Sequence, residues 1–212
     1  MLQQYKAIRY SSLDLSKLKT STIYKKSNCA WFFSKKDPFW EYSNMAGGFP
    51  IILKSGRWHS SEQLYQASKY SPDIECIPQS AKTTRGRIPN VRERIFNSTN
   101  PRGSKMTQKC AVKNDLVRKD WDDKHEIRIH SMLWVLELKL YNHPRAFGQV
   151  LLNSGDKAIV EKSNKDSFWG CKEHNHELLG CNVLGKLLTI LRDEKFEDVK
   201  KGIFTYPNGF LL

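Results

Sequence analysis

Apolar positions fall into a few strong runs divided by polar punctuation, and most of the runs have a helical period. The clearest is Trp121 to Tyr141, where Ile127, Met132, Leu133, Val135, Leu136, Leu138, Leu140 and Tyr141 leave little of the circumference polar. A helix apolar nearly all round is buried nearly all round, so this segment reads as the central core helix. Asn142-His143-Pro144 then restarts the chain with a proline suited to a first turn. Ala146, Phe147, Val150, Leu151 and Leu152 give a second buried face that Asn153-Ser154-Gly155 ends. A further helix is expected from Asn182 to about Glu194, because Val183, Leu184, Leu187, Leu188 and Leu191 recur at three- and four-residue spacings. Extended segments are shorter. Cys29 to Phe33 is an apolar, aromatic run with polar flanks and reads as a buried strand. Phe49 to Leu53 and Arg57 to His59 resemble a hairpin turning at Ser55-Gly56, and Ile159-Val160 carries Glu161 out of the core into a turn.

Other stretches commit to less. Met1 to Asn28 is polar with scattered leucines and fits either a short docked helix or a loose arm. Asp37 to Gly48 is a loop whose aromatic and amide groups either face a ligand or pin the loop. Between Arg85 and Asp120 the basic residues (Arg85, Arg87, Arg92, Arg94, Arg102, Lys105, Lys109, Lys113, Arg118, Lys119) far outnumber Glu93, Asp115 and Asp120, with Asn97 to Gly103 as the clearest loop. Such a run is most simply a solvated, mobile surface, and otherwise a polyanion-binding flap. The tail from Ile203 reads as two extended pieces about a Pro207-Asn208-Gly209 turn.

Composition narrows the classes. A chain of 212 residues is long enough for one domain with a real core, and 11% aromatics excludes a disordered chain. A net charge of +13 favours an anionic partner: nucleic acid, nucleotide or phosphorylated metabolite. Five cysteines with no C-x-x-C pair imply no disulfide framework. With no apolar run long enough for a signal peptide or membrane span, the expectation is a soluble, intracellular, cytoplasmic protein without membrane contact.

Two stretches carry candidate chemistry. Ser60 with Gln63 is a capping-box pattern, and on the helix it opens, Glu62, Gln66 and Lys69 share a face. That stripe is either a solvated face or a cleft wall on which Glu62 positions a sugar hydroxyl and Lys69 meets a phosphate or an opened sugar aldehyde. Farther on, Glu161, Asp166, Trp169-Gly170 and Gly180 to Gly185 place acids, an indole and glycine turns ahead of a helix start. An acid can steady a cationic sugar carbon, an indole can stack, and N-terminal helix amides can hold phosphate. Plainer readings stand beside these: Glu161 capping a turn, Trp169 filling the core. Cys171, His174, His176 and Cys181 offer zinc-ligand types at a spacing that matches no common zinc pattern, so no metal and no other cofactor is expected.

Taken together, Tyr42-Ser43-Asn44-Met45, Trp58 to Tyr70, Arg85-Gly86-Arg87, Glu161 with Asp166 and Trp169-Gly170, and Gly180 to Gly185 with Arg192 resemble the NADAR, or YbiA-like, family in order and spacing. The resemblance implies an α+β, predominantly α-helical, compact single-domain fold with short strands. On that pattern residues 1–28 are an N-terminal extension, 29–195 the domain with a basic insertion around 88–119, and 196–212 a tail. It implies cleavage of N-glycosidic bonds, either removing ADP-ribose from modified guanine in nucleic acid or hydrolysing phosphoribosylamino-pyrimidine intermediates of riboflavin synthesis. The implied catalytic residues are Glu62 and Asp166, then Glu161, with Lys69 a Schiff-base nucleophile. Asn44, Arg85, Trp169, Gly170, Asn182 and Gly185 are the implied substrate-binding set. A non-catalytic ADP-ribose or NAD reader and a plain nucleic-acid-binding protein are the competing classes.

Overall fold

The apolar segment expected as the central helix does become the axis of the molecule, but it begins later than its pattern suggests. The computed structural model describes residues 6–8, 13–54, 56–70, 91–113, 117–121 and 126–205. Their elements in chain order are β1 (Lys6–Ile8), α1 (Leu15–Lys19), β2 (Thr22–Lys25), β3 (Cys29–Phe32), β4 (Ile51–Leu53), β5 (Gly56–Trp58), α2 (Ser61–Ser68), α3 (Val91–Phe96) and α4 (Pro101–Lys113). There follow α5 (Ile127–Asn142), α6 (Ala146–Asn153), β6 (Ala158–Glu161), β7 (Lys172–His174), β8 (Glu177–Gly180), α7 (Val183–Ile190), α8 (Phe196–Lys200) and β9 (Ile203–Thr205). The fold is α+β, with helices around small sheets.

α5 is buried along almost its whole length and packs against α2, α6, α7, α8, β4 and β9. It starts at Ile127 because Glu126 turns into the left-handed region (φ 49°) and spends its carboxylate on Lys19 and Arg128, each at 2.9 Å. Trp121 therefore lies outside the helix, buried beside Tyr65. Lys139 is a fully buried cation on this apolar helix. Its Nζ donates to the carbonyls of Glu41 (2.5 Å) and Ser43 (3.1 Å), pinning the loop that leads to Asn44. Burial pushes its ammonium down to about 7.

The strands form small sheets that join distant parts of the chain. β3 and β6 pair in parallel with Phe32 opposite Glu161. β2, β8 and β7 make an antiparallel sheet, β4 and β5 a hairpin, and β1 lies parallel to β9. The β7–β8 turn puts Asn175 and His176 both at positive φ, the geometry a two-residue turn needs to match strand twist. Residues before Cys29 thus include two paired strands and a docked α1. The long C-terminal helix is broken up: α7 ends at Ile190, a wider turn spans Leu191–Lys195, and α8 follows. The Pro-Asn-Gly turn and Ser55 lie outside the described residues.

The basic stretch differs from its sequence reading. Rather than a solvated run with a loop to Gly103, it forms α3 and α4, which pack on α2 and on each other, burying Val91, Ile95 and Ser104. Pro101 starts α4, and Asn100 Oδ1 accepts from Gly103 N at 2.8 Å, so the loop stops at Asn100. The fold also overturns the solvated reading of α2, for every residue of α2 is buried.

Candidate active site

A cleft of about 510 Å³ opens between α2, α4, the start of α5 and the turn after β6. Its lining includes Asn44, Glu62, Lys69, Glu161, Asp166 and Trp169 from the sequence-derived set. The two acid-bearing stretches, about a hundred positions apart in the chain, thus share one concavity.

Glu161 is held by its main chain. It ends β6, its N–H donates to Asn182 Oδ1 (3.1 Å), and its carbonyl accepts from Cys171 N (2.8 Å). Burial first, and then the negative charge of Asp166, push its carboxyl from 4.5 up to about 7; Lys105 opposes this and Glu62 adds to it. Gly170 leaves room for this arrangement. A Cβ there would lie 2.7 Å from the Glu161 carbonyl oxygen and 3.3 Å from the carboxylate Oε2.

Asp166 is exposed, and Oδ1 accepts from the amides of Phe168 (2.8 Å) and Trp169 (2.9 Å). This carboxylate builds the turn that presents the indole. Trp169 meets Tyr65 edge-to-face with centroids 5.7 Å apart, and Tyr65 lies 5.5 Å from Trp121. The three rings form an aromatic wall.

The facing wall is α2. Ser60 Oγ accepts from Gln63 N (3.2 Å) and Gln63 Oε1 accepts from His59 N (2.6 Å), which realises the capping box. Glu62 Oε1 accepts from Gln66 Nε2 (2.7 Å) and sits 3.5 Å from Lys105 Nζ. Because a carboxylate can only accept, Gln66 must turn its NH₂ toward Glu62. Its Oε1, like Asn44 Oδ1, is buried without a partner. Lys69 caps α2 with Nζ 5.5 Å from the Tyr65 ring.

Three expected binding residues lie elsewhere. Asn182 is a strut: in the left-handed region (φ 52°), its side chain donates to Ile159 O (2.8 Å) and accepts from Glu161 N, extending the edge of β6. Gly185 lets α7 lie on that strand, since a Cβ would come within 2.1 Å of Ile159 O. The amides expected to hold phosphate are already used. Those of Cys181, Asn182, Val183 and Leu184 donate to the carbonyls of Ser167, Gly170, Phe168 and Trp169. Gly170 supports the cleft from behind. Arg85 lies outside the described residues.

The cysteine and histidine cluster does not converge. Cys171 is buried behind β6, His174 and His176 flank the β7–β8 turn, and Cys181 Sγ contacts Lys19 O. Among the described residues, no group of three or more His, Cys, Asp or Glu is placed to hold a metal. No helix among them is long and apolar enough to cross a membrane.

Lys105, Tyr65, Trp121, Arg128, Met132 and Ser163 line the cleft without having been singled out. Tyr65 and Trp121 carried a weak signal as aromatics beside the polar stripe and the core helix. Lys105 was lost within a basic run.

The cleft of this α+β fold thus gathers three carboxylates, three cations and an indole. The NADAR domain profile matches residues 26–194, and the chain belongs to that family. An N-glycosidase of Nostoc punctiforme is 28% identical over 166 residues, covering 77% of this chain and 90% of that protein. A riboflavin biosynthesis protein of Vibrio vulnificus is 27% identical over 161 residues, covering 74% of this chain but only 37% of that longer protein. The solution structure of the E. coli protein YbiA shares the fold, with a TM-score of 0.61 at 24% identity over 81% of this chain and 86% of YbiA.

Proposed function

We propose that this protein is an N-glycosidase that hydrolyses the bond between a ribose C1 and a base nitrogen. The observation that carries the reading is Glu161, a carboxyl pushed up to about 7 in a cleft shared with Glu62 and Asp166. Such a group keeps its proton to a higher pH than an ordinary carboxyl does, which suits a general acid. In the proposed reaction Glu161 gives its proton to the departing nitrogen as the C1–N bond breaks. Glu62 stabilises the positive charge on C1, and water adds there, giving its proton to the Glu161 carboxylate and leaving a hemiacetal hydroxyl. Trp169 stacks on the base, a contact worth about 1–3 kcal/mol. Asn44 Oδ1 and Gln66 Oε1, both without partners, are acceptors suited to sugar hydroxyls. The naming of the Nostoc relative as an N-glycosidase supports the same chemistry.

For the substrate, we favour ADP-ribose attached to guanine in nucleic acid, since the net charge of +13 and the cleft cations Lys69, Lys105 and Arg128 suit a polyanion. The Vibrio relative, named for riboflavin biosynthesis, favours a second substrate, a phosphoribosylamino-pyrimidine. Turnover of both compounds side by side tests the reading. Release of ADP-ribose from the modified strand is the expected result, and failure on both substrates would falsify the assignment. Lys69 gives an alternative route through a Schiff base with the opened ribose; borohydride added during turnover traps that adduct, and an unlabelled active enzyme removes it.

A further inference from the structure

Lys105 stands apart from the rest of the cleft because of where it comes from. It is carried on α4, within the basic stretch around 88–119, and α4 is fixed by its packing on α2 and α3 and by the buried Ser104 beside it. From that helix Lys105 reaches Glu62 Oε1 at 3.5 Å. The two partners are unequally placed: the Glu62 side chain is 6% exposed and that of Lys105 52% exposed. The carboxylate is fixed at the wall, while the ammonium is a point charge on a flexible stem at the mouth, able to turn between the cleft and solvent.

We infer that Lys105 is the phosphate-recognising residue of the cleft, shared in turn between Glu62 and a phosphoryl group of the incoming ligand. The inference rests on the ribosyl reading above and adds the residue that selects phosphorylated ribosyl compounds over uncharged ones. A phosphoryl group carries more charge than a carboxylate and offers three acceptor oxygens, so it competes well for a half-exposed ammonium. As the phosphate takes Lys105, Glu62 Oε1 loses a cation and keeps Gln66, which leaves the carboxylate directed at the sugar rather than neutralised at the mouth. The expected helix-terminus site for phosphate is closed, because the α7 amides are bonded to the Ser167–Gly170 carbonyls. The charged groups facing this point are Glu62 and Lys69 from α2, Glu161 and Asp166 from the turn after β6, and Arg128 from α5.

The test is an NMR titration of wild type, Lys105→Gln and Lys105→Arg with ribose 5-phosphate, with ribose as the uncharged control. Lys105→Gln is expected to weaken ribose 5-phosphate about tenfold and ribose less than twofold, with Lys105→Arg within threefold of wild type, the range set by one charge-assisted contact. A ribose 5-phosphate affinity within twofold of wild type in Lys105→Gln overturns the inference. Because this readout is binding, it stands or falls whether or not the protein turns over an N-riboside. A parallel arm separates the two sources of the phosphate. If it belongs to a nucleic-acid strand, the slope of log affinity for an oligonucleotide against log salt falls by about one in Lys105→Gln; if it belongs to a small metabolite, the slope is unchanged. Where turnover is measurable, removing this cation raises the pH midpoint of the limb governed by Glu161, a shift that mere loss of packing would not produce.

Discussion

The two walls of the cleft hold their acids by opposite means. Glu161 is immobilised through its backbone: Asn182 and Cys171 clamp the peptide groups on either side, Gly170 clears the space for the carboxyl, and Gly185 lets α7 close behind the strand. Glu62 is held through side chains, by Gln66 and Lys105, on a helix whose own polar residues are buried against neighbours. The Glu161 carboxyl retains a proton to a higher pH because burial, and then the negative charge of Asp166, disfavour the ionised form. The wall held by side chains can adjust to what arrives, and it is there that α4 contributes.

The largest effect expected from breaking this contrast is chemical. Glu161→Gln should lower kcat by about 10²- to 10⁴-fold while KM changes little. In wild type the rate should fall as pH rises through about 7, and that limb should vanish in the variant. A variant whose kcat stays within about threefold of wild type would mean the rigid wall is not the reactive one. Next comes Gly185→Ala, expected to destabilise by about 3 kcal/mol in urea titrations, because its Cβ meets a backbone carbonyl that cannot move aside. Gly148→Ala is the comparison: its Cβ meets only side-chain atoms of Leu140 and Phe196 at 3.2 Å, so a smaller loss is expected.

The third effect is on stability and has the opposite sign. Glu161 binds its proton more tightly in the folded protein than in the unfolded chain, so folding stability drops as pH rises from 4.5 to about 7. Glu161→Gln escapes that loss and should be more stable than wild type by about 2–3 kcal/mol at pH 8, with the difference fading toward pH 4.5. Equal stabilities at both pH values would show that the carboxyl is better solvated than its position implies. The smallest effect belongs to Glu173, which Lys162 and Lys26 hold down to about 2 at the rim of the β7 sheet. Glu173→Gln should cost less than about 1 kcal/mol at neutral pH and nothing near pH 2, because the wild-type pairs are themselves lost as pH falls from 4.5.

These contrasts also explain what could be read from the sequence. The core helix, the Ser60–Gln63 cap and the delivery of Glu161 into a turn were legible because each rests on a local rule: apolar period, capping chemistry, and a short apolar run ending in a breaker. The burial of α2 was not legible. α2 packs against α3, α4 and α5 while its Glu62–Gln66–Lys69 stripe lines the cleft, and a helix enclosed in that way has the same residue pattern as one facing water. The basic stretch misled for a related reason, since the few apolar contacts that fix it, Val91 and Ile95, are sparse among its charges. Asn182 and Gly185 stand at the expected helix start after a glycine turn, where both make close contacts with β6. Their contacts with β6 come from the crossing of α7 over that strand, which no local pattern announces. Lys139 hides among apolar neighbours, and only the carbonyls of Glu41 and Ser43, brought in by a distant loop, explain a cation there.

The parallel pairing of β3 with β6 has a consequence for biosynthesis. Cys29 to Phe32 leave the ribosome early, yet their partners at Ala158 to Glu161 come after five helices of the described residues, so β3 has no partner strand until most of the domain has been made. Any nascent chain halted before Ala158 carries an orphan aromatic strand, and the pairing that sets Glu161 in its turn waits on residues made late in synthesis.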